Sequence, residues 1–130
     1  MDKLLPDEYW PRLAEIPEPP EYLWVRGTIP GPEVKLVTMV GSRKMSQYGK
    51  DVVEHLVAGL ADYPVAIVSG LALGVDGAVH RAALKYGIPT IAFPGSGLDD
   101  DALYPSTHQW LAQDILKHGG ALVSEFPADQ

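Results

Sequence analysis

The chain has 130 residues, 46% of them hydrophobic, and no cysteine, which allows one domain with a real core but neither disulfides nor a thiolate metal site, and suits a reducing cytoplasm. Its formal net charge of -7 excludes a broadly basic nucleic-acid binder, because phosphate affinity comes from Lys and Arg displacing counterions. A nucleic-acid site, if present, must be local.

Residues 1–34 contain Pro6, Pro11, Pro17, Pro19, Pro20, Pro30 and Pro32, which forbid a long helix and predict an irregular, extended arm. The same prolines and charges rule out a signal peptide or membrane span there. Within the arm, EYLWVRG is apolar and β-prone enough for one short strand. Residues 35–130 then alternate short apolar runs with helical periods. KLVTMVG, PVAIVSG, PTIAFPG and ALVSEF read as strands. SQYGKDVVEHLVAGLADY reads as a helix with Val52, Val53, Leu56, Val57 and Leu60 on one face and Ser46 as N-cap. DGAVHRAALKYG is expected to start at a capping Asp76 and stop at Gly87, and STHQWLAQDILKHGG to run from Ser106 to Gly119. Strand–helix alternation with near-continuous apolar strands predicts a Rossmann-like α/β domain, with a mostly parallel sheet and helices on both faces.

In such a sheet, ligands bind beyond the C-terminal ends of the strands. Three of these ends carry glycines. After the first comes GSRK, where Gly41 allows close approach, Ser42 offers a hydroxyl, and Arg43 and Lys44 precede the next helix. Backbone amides, a hydroxyl and a guanidinium together make an anion site. The same residues would also serve as a tight turn with two solvated cations. After the second strand comes SGLALGVDG, with Ser69, Gly70, Gly74, Asp76 and Gly77, and after the third PGSGLDDDALYPS, with Gly95 and Gly97. The glycines of SGLALGVDG fit neither G-x-G-x-x-G nor the P-loop pattern, so dinucleotide and P-loop readings find little support.

Asp76 and His80, four residues apart, share a helix face. With Ser69 or Ser42 they would compose a catalytic triad, but there is no G-x-S-x-G elbow, and Asp76 capping its helix while His80 packs or bonds locally is the better reading. Asp99, Asp100 and Asp101 offer oxygen ligands without the spacing of a calcium loop and read as a solvated run. The histidines lack a zinc spacing, and no metal is expected. Trp10, Trp24 and Trp110 have ring faces on which bases stack. Trp110, however, is expected to pack its helix onto the sheet, and the other two lie in the arm.

Taken together, EIPEPPEYLWVRG, VTMVGSRKMSQYG, AIVSGLALGVDGAVHRAAL, PTIAFPGSGLDDDALYPSTHQWLAQDI and GGALVSEFP resemble, in order and spacing, the DNA-processing protein A family, also called Smf. The resemblance spans about residues 16–127. It implies a non-enzymatic, cofactor-free protein that binds single-stranded DNA, dimerises, and helps load a RecA-type recombinase during natural transformation. Carried over by position, Arg43 contacts phosphate, Gly41 and Ser42 shape its pocket, and Gly70, Gly74 and Asp76 form the adjoining motif. Tyr104 and Pro105 match the family's Y-P. The candidate phosphate-binding set is therefore Gly41, Ser42, Arg43, Lys44, Ser69, Gly70, Gly74, Asp76, Gly95 and Gly97. The family pattern continues into an F-P-x-R-N-R segment beyond Gln130, so this chain reads as the N-terminal half of that domain.

Two other readings stand beside this one. A phosphoribohydrolase-like nucleotide protein would carry P-G-G-x-G-T-x-x-E, where this sequence has PGSGLDDDALYP without the Thr and Glu. An interaction scaffold would pair its open sheet edge with itself or a partner.

Overall fold

The computed structural model describes residues 1–6 and 10–130. The part of the predicted irregular arm at residues 7–9 lies outside them. Among the described residues, the strands and helices follow in chain order as β1 (Asp2–Leu4), β2 (Leu23–Gly27), β3 (Lys35–Thr38), α1 (Gln47–Gly59), β4 (Val65–Ser69), α2 (Val75–Lys85), β5 (Thr90–Ala92), α3 (Gln109–Lys117) and β6 (Ala121–Ser124). Short 3-10 turns occupy Pro11–Glu15 and Ser106–His108.

The strands form one mixed sheet in the order β1-β2-β6-β5-β4-β3. β3, β4, β5 and β6 are parallel, while β2 joins β6 and β1 joins β2 antiparallel. All four strands predicted after residue 35 are present, as is the one in EYLWVRG. The N-terminal segment does not stand apart as an arm, since β1 and β2 extend the sheet beyond β6. β1 carries too little pattern to announce itself; its register is set by the free edge of β2.

The helix starts and stops follow local chemistry. The Ser46 hydroxyl accepts from Gly49 N at 3.0 Å and caps α1, as expected. That helix ends at Gly59, earlier than its apolar pattern suggested, because the chain winds into tight turns before Pro64. Gly87 and Gly119 take φ of +70° and +84° just past α2 and α3, the left-handed conformation that stops a helix. Two predicted starts differ. Gly74, not Asp76, precedes α2, and a 3-10 turn replaces the first turn expected at Ser106.

One face of the sheet carries α1, α2 and α3. Val53 and Val57 of α1 and Val79, Ala82 and Ala83 of α2 pack with Ile67. Leu111, Ala112 and Ile115 of α3 pack with Ala92 and Leu122. The opposite face, with Leu23, Val25, Ile91 and Val123, is covered by Trp10, Leu13 and Ile29. Helices were expected on both faces, and the topology explains why the described ones share a face. From β3 to β6 each strand is laid down beside the last in one direction, and right-handed crossovers then place every connecting helix on the same side. The edge position of β3 also accounts for Leu56, which was expected in the core and is exposed. α1 leans on α2 and the sheet margin rather than on its middle.

Candidate functional site

The parallel strands β3, β4 and β5 end along one rim, and their loops enclose a cavity of about 220 Å³ lined by Arg43, Gly70, Ala72, Leu73, Gly95, Tyr104 and Pro105. The loops are held together by Asp76, a buried residue in the first turn of α2. Its Oδ1 accepts from Gly41 N at 3.3 Å and its Oδ2 from Gly70 N at 3.1 Å. One carboxylate thus latches the loop after β3 to the loop after β4. This differs from the expected helix cap, and it also occupies the amides of Gly41 and Gly70, which had been assigned to a bound anion. These two glycines serve the loop instead. A Cβ on Gly70 would stand 2.7 Å from Asp76 Oδ2, and one on Gly41 would stand 2.9 Å from the Val75 side chain.

Gly74 completes the junction. Its φ of +77° turns the chain into α2, and Val75 N then donates to Ser42 O at 3.0 Å. A side chain at 74 would collide with the carbonyls of Ser42 and Arg43. Gly74→Ala is therefore expected to lower stability by about 1–3 kcal/mol, read as a lower urea midpoint at unchanged m. The Ser42 hydroxyl accepts from Lys44 N at 3.0 Å, which fixes the turn between them. Arg43 and Lys44 are exposed, and neither has a carboxylate partner among the described residues.

The remaining candidates separate. Gly95 lines the cavity. Ser69 is buried, and its hydroxyl donates to Met39 O at 2.6 Å, so it ties strand ends instead of facing a ligand. Gly97 lies against the carbonyls of Pro127 and Ala128, away from the cavity. The third wall comes from Tyr104 and Pro105. Ser96 positions it, accepting from Tyr104 N at 3.0 Å while its carbonyl accepts from Ser124 Oγ at 2.6 Å. Ala72, Leu73, Tyr104 and Pro105 were not in the candidate set; the Y-P of the motif was the available signal for the last two.

His80 and Asp76 form no hydrogen bond with each other in the structure. His80 is fully buried, with Nδ1 2.7 Å from Thr90 Oγ1. Thr90 Oγ1 donates to Ile67 O at 2.9 Å, so the imidazole donates from Nδ1 and its Nε2 is left without a partner. Burial, reinforced by nearby His108 and Arg81, pushes the His80 pKa down to about 3, so the ring is neutral at physiological pH. Asp100 pairs with Arg26 at 2.9 Å, which holds its pKa below the usual carboxylate range, and also accepts from Gln113. No helix among the described residues is long and apolar enough to cross a membrane.

A mixed α/β sheet with glycine-turned loops, and with Arg43 and Lys44 exposed beyond its parallel strand ends without a carboxylate partner among the described residues, defines an α/β protein with a cleft at the C-terminal ends of its strands. Residues 3–130 match the family model described as DNA recombination-mediator protein A, and the chain belongs to that family. It is 40% identical over 121 residues to Protein Smf of Escherichia coli K12, covering 93% of this chain and 32% of that protein. Among solved structures it resembles DNA processing protein A of Streptococcus pneumoniae, with a TM-score of 0.79, 38% identity, and coverage of 93% of this chain and 41% of that one. It also resembles the Helicobacter pylori protein, whose structure is described in terms of a single-stranded DNA binding mode, with a TM-score of 0.71, 29% identity, and coverage of 88% and 51%. The chain thus spans about a third of the length of the curated relative from E. coli.

Proposed function

We propose that this chain binds the backbone phosphate of single-stranded DNA at the rim above β3, β4 and β5, with Arg43 as the principal cation. The observation that carries this reading is Arg43 itself. In a chain of net charge -7, it stands without a carboxylate partner among the described residues, at the mouth of a cavity formed by three strand ends. Its guanidinium can grip a phosphate through two N–H donors, and Lys44 beside it adds a point charge. Asp76, Gly41, Gly70 and Gly74 hold the loop that presents Arg43. The family and the H. pylori neighbour support the choice of nucleic acid over a soluble phosphate. Within the whole protein, the same rim would present a strand to a RecA-type recombinase, in the cytoplasm, as part of a mediator without catalytic activity and with a second copy as partner.

Fluorescence anisotropy with a labelled single strand tests the reading. Arg43→Ala is expected to weaken binding at least tenfold at low salt and to make the slope of log K against log salt shallower by about 0.7, the share of one phosphate contact on a single strand. Equal affinity and slope for both proteins would remove the assignment.

A further inference from the structure

The sequence placed Trp110 against the sheet, and the structure does not. Leu111, Ala112 and Ile115 face inward, while Trp110, in the first turn of α3, is 52% exposed. It is also held in place. The Arg81 guanidinium lies 5.4 Å from the centre of the indole ring, and Arg81 Nη2 donates to His108 Nε2 at 3.3 Å. His108 is buried, and its Nδ1 donates to Leu71 O at 2.8 Å. The indole and its cation are thus fastened to the loop that also provides Ala72 and Leu73 to the phosphate cavity. On the other side, the Ser106–His108 turn runs directly from Tyr104 and Pro105 on the cavity wall to α3. Arg81 has no carboxylate partner among the described residues.

We propose that Trp110, braced by Arg81, is a base-stacking platform beside the phosphate cavity, and that a single strand crosses from Arg43 over the Ser106–His108 turn to lay a base on the indole. This rests on the reading of the cavity as a single-stranded DNA site. A flat, half-exposed π surface beside a cation with no carboxylate partner among the described residues suits an unpaired base, because every base has a stacking face whatever its sequence. A base within a duplex has its faces covered, so the platform favours single strands.

The test uses the 130-residue chain and a labelled oligothymidylate. Trp110→Ala is expected to weaken binding about tenfold while leaving the salt slope unchanged, and Trp110→Phe to restore most of the loss. Binding is expected to quench tryptophan fluorescence in the wild type and not in Trp110→Ala, which retains Trp10 and Trp24. If Arg43→Ala loses binding and Trp110→Ala matches the wild type, the platform is overturned and the phosphate site stands. If the wild type binds no single strand at low salt, both fall together. If Trp110→Ala leaves DNA affinity intact but changes the mass measured by light scattering, the indole serves a protein contact and the proposal is wrong.

Discussion

Replacing Asp76 with alanine is expected to cost about 3 kcal/mol of folding stability and to abolish single-strand binding. The carboxylate accepts two backbone amides, Gly41 N and Gly70 N, and hydrogen bonds to a charged acceptor contribute about 1.5–3 kcal/mol each, the longer one near the lower end. Removal leaves two amides on adjacent strand ends without their acceptor and releases the loop that carries Arg43. Electrostatics alone makes the opposite prediction for binding, because deleting a negative charge near an anion site should tighten it. Positioning is expected to win, since the proposed phosphate contact needs Arg43 within hydrogen-bond reach, whereas Asp76 is buried beneath the loop. Asp76→Asn separates the two effects. It keeps one carbonyl acceptor but sets an NH2 against the second amide, so stability should fall by about half as much. Urea unfolding and anisotropy on both variants decide the matter; tighter DNA binding by Asp76→Asn would show that charge, not latching, governs the site.

The second large effect is a loss of stability on acidification through His80. In the folded chain its pKa is pushed from the ordinary 6.5 to about 3 by burial, so it stays neutral while the unfolded chain takes up a proton. Stability from this group is therefore greatest above pH 6.5, falls as the pH drops from there towards 3, and levels off below. The loss reaches about 2 kcal/mol at pH 5 and about 4 kcal/mol at the folded pKa. His80→Leu removes the titrating group, and Thr90 keeps its bond to Ile67 O. Urea midpoints at pH 7 and pH 5 should converge in that variant, whatever its stability at pH 7. An equally steep pH dependence in His80→Leu would place the effect elsewhere.

The Asp76 prediction and the exposure of Trp110 both depend on contacts that the sequence did not announce. Asp76 reads locally as a helix cap, since acidic residues before an apolar period usually are, yet its partners are Gly41, 35 residues earlier, and Gly70. Trp110 reads as a core residue by its size, but α3 turns it outward because Leu111, Ala112 and Ile115 already fill the stripe over the sheet. The candidate site was legible as a region: strand ends with glycines mark the binding rim of a parallel sheet before any coordinates exist. Its membership was less legible. Ser69 and Gly97 share the motifs but are turned to Met39 O and to the carbonyls of Pro127 and Ala128.

What the sequence determined by itself were properties set by neighbours in the chain. Apolar runs bounded by glycine and proline specified five strands, Ser46 capped its helix, and Gly87 and Gly119 ended theirs, because capping and backbone freedom act within a few residues. The order of five quoted motifs was enough to point to the family. Tertiary structure alone decided that β1 joins the sheet, that the described helices share one face, and that Asp76 latches two loops while Trp110 faces solvent. Each of these follows from pairings between distant segments, where the direction of the crossovers and the burial of a polar group determine the partner, and no local pattern carries that information.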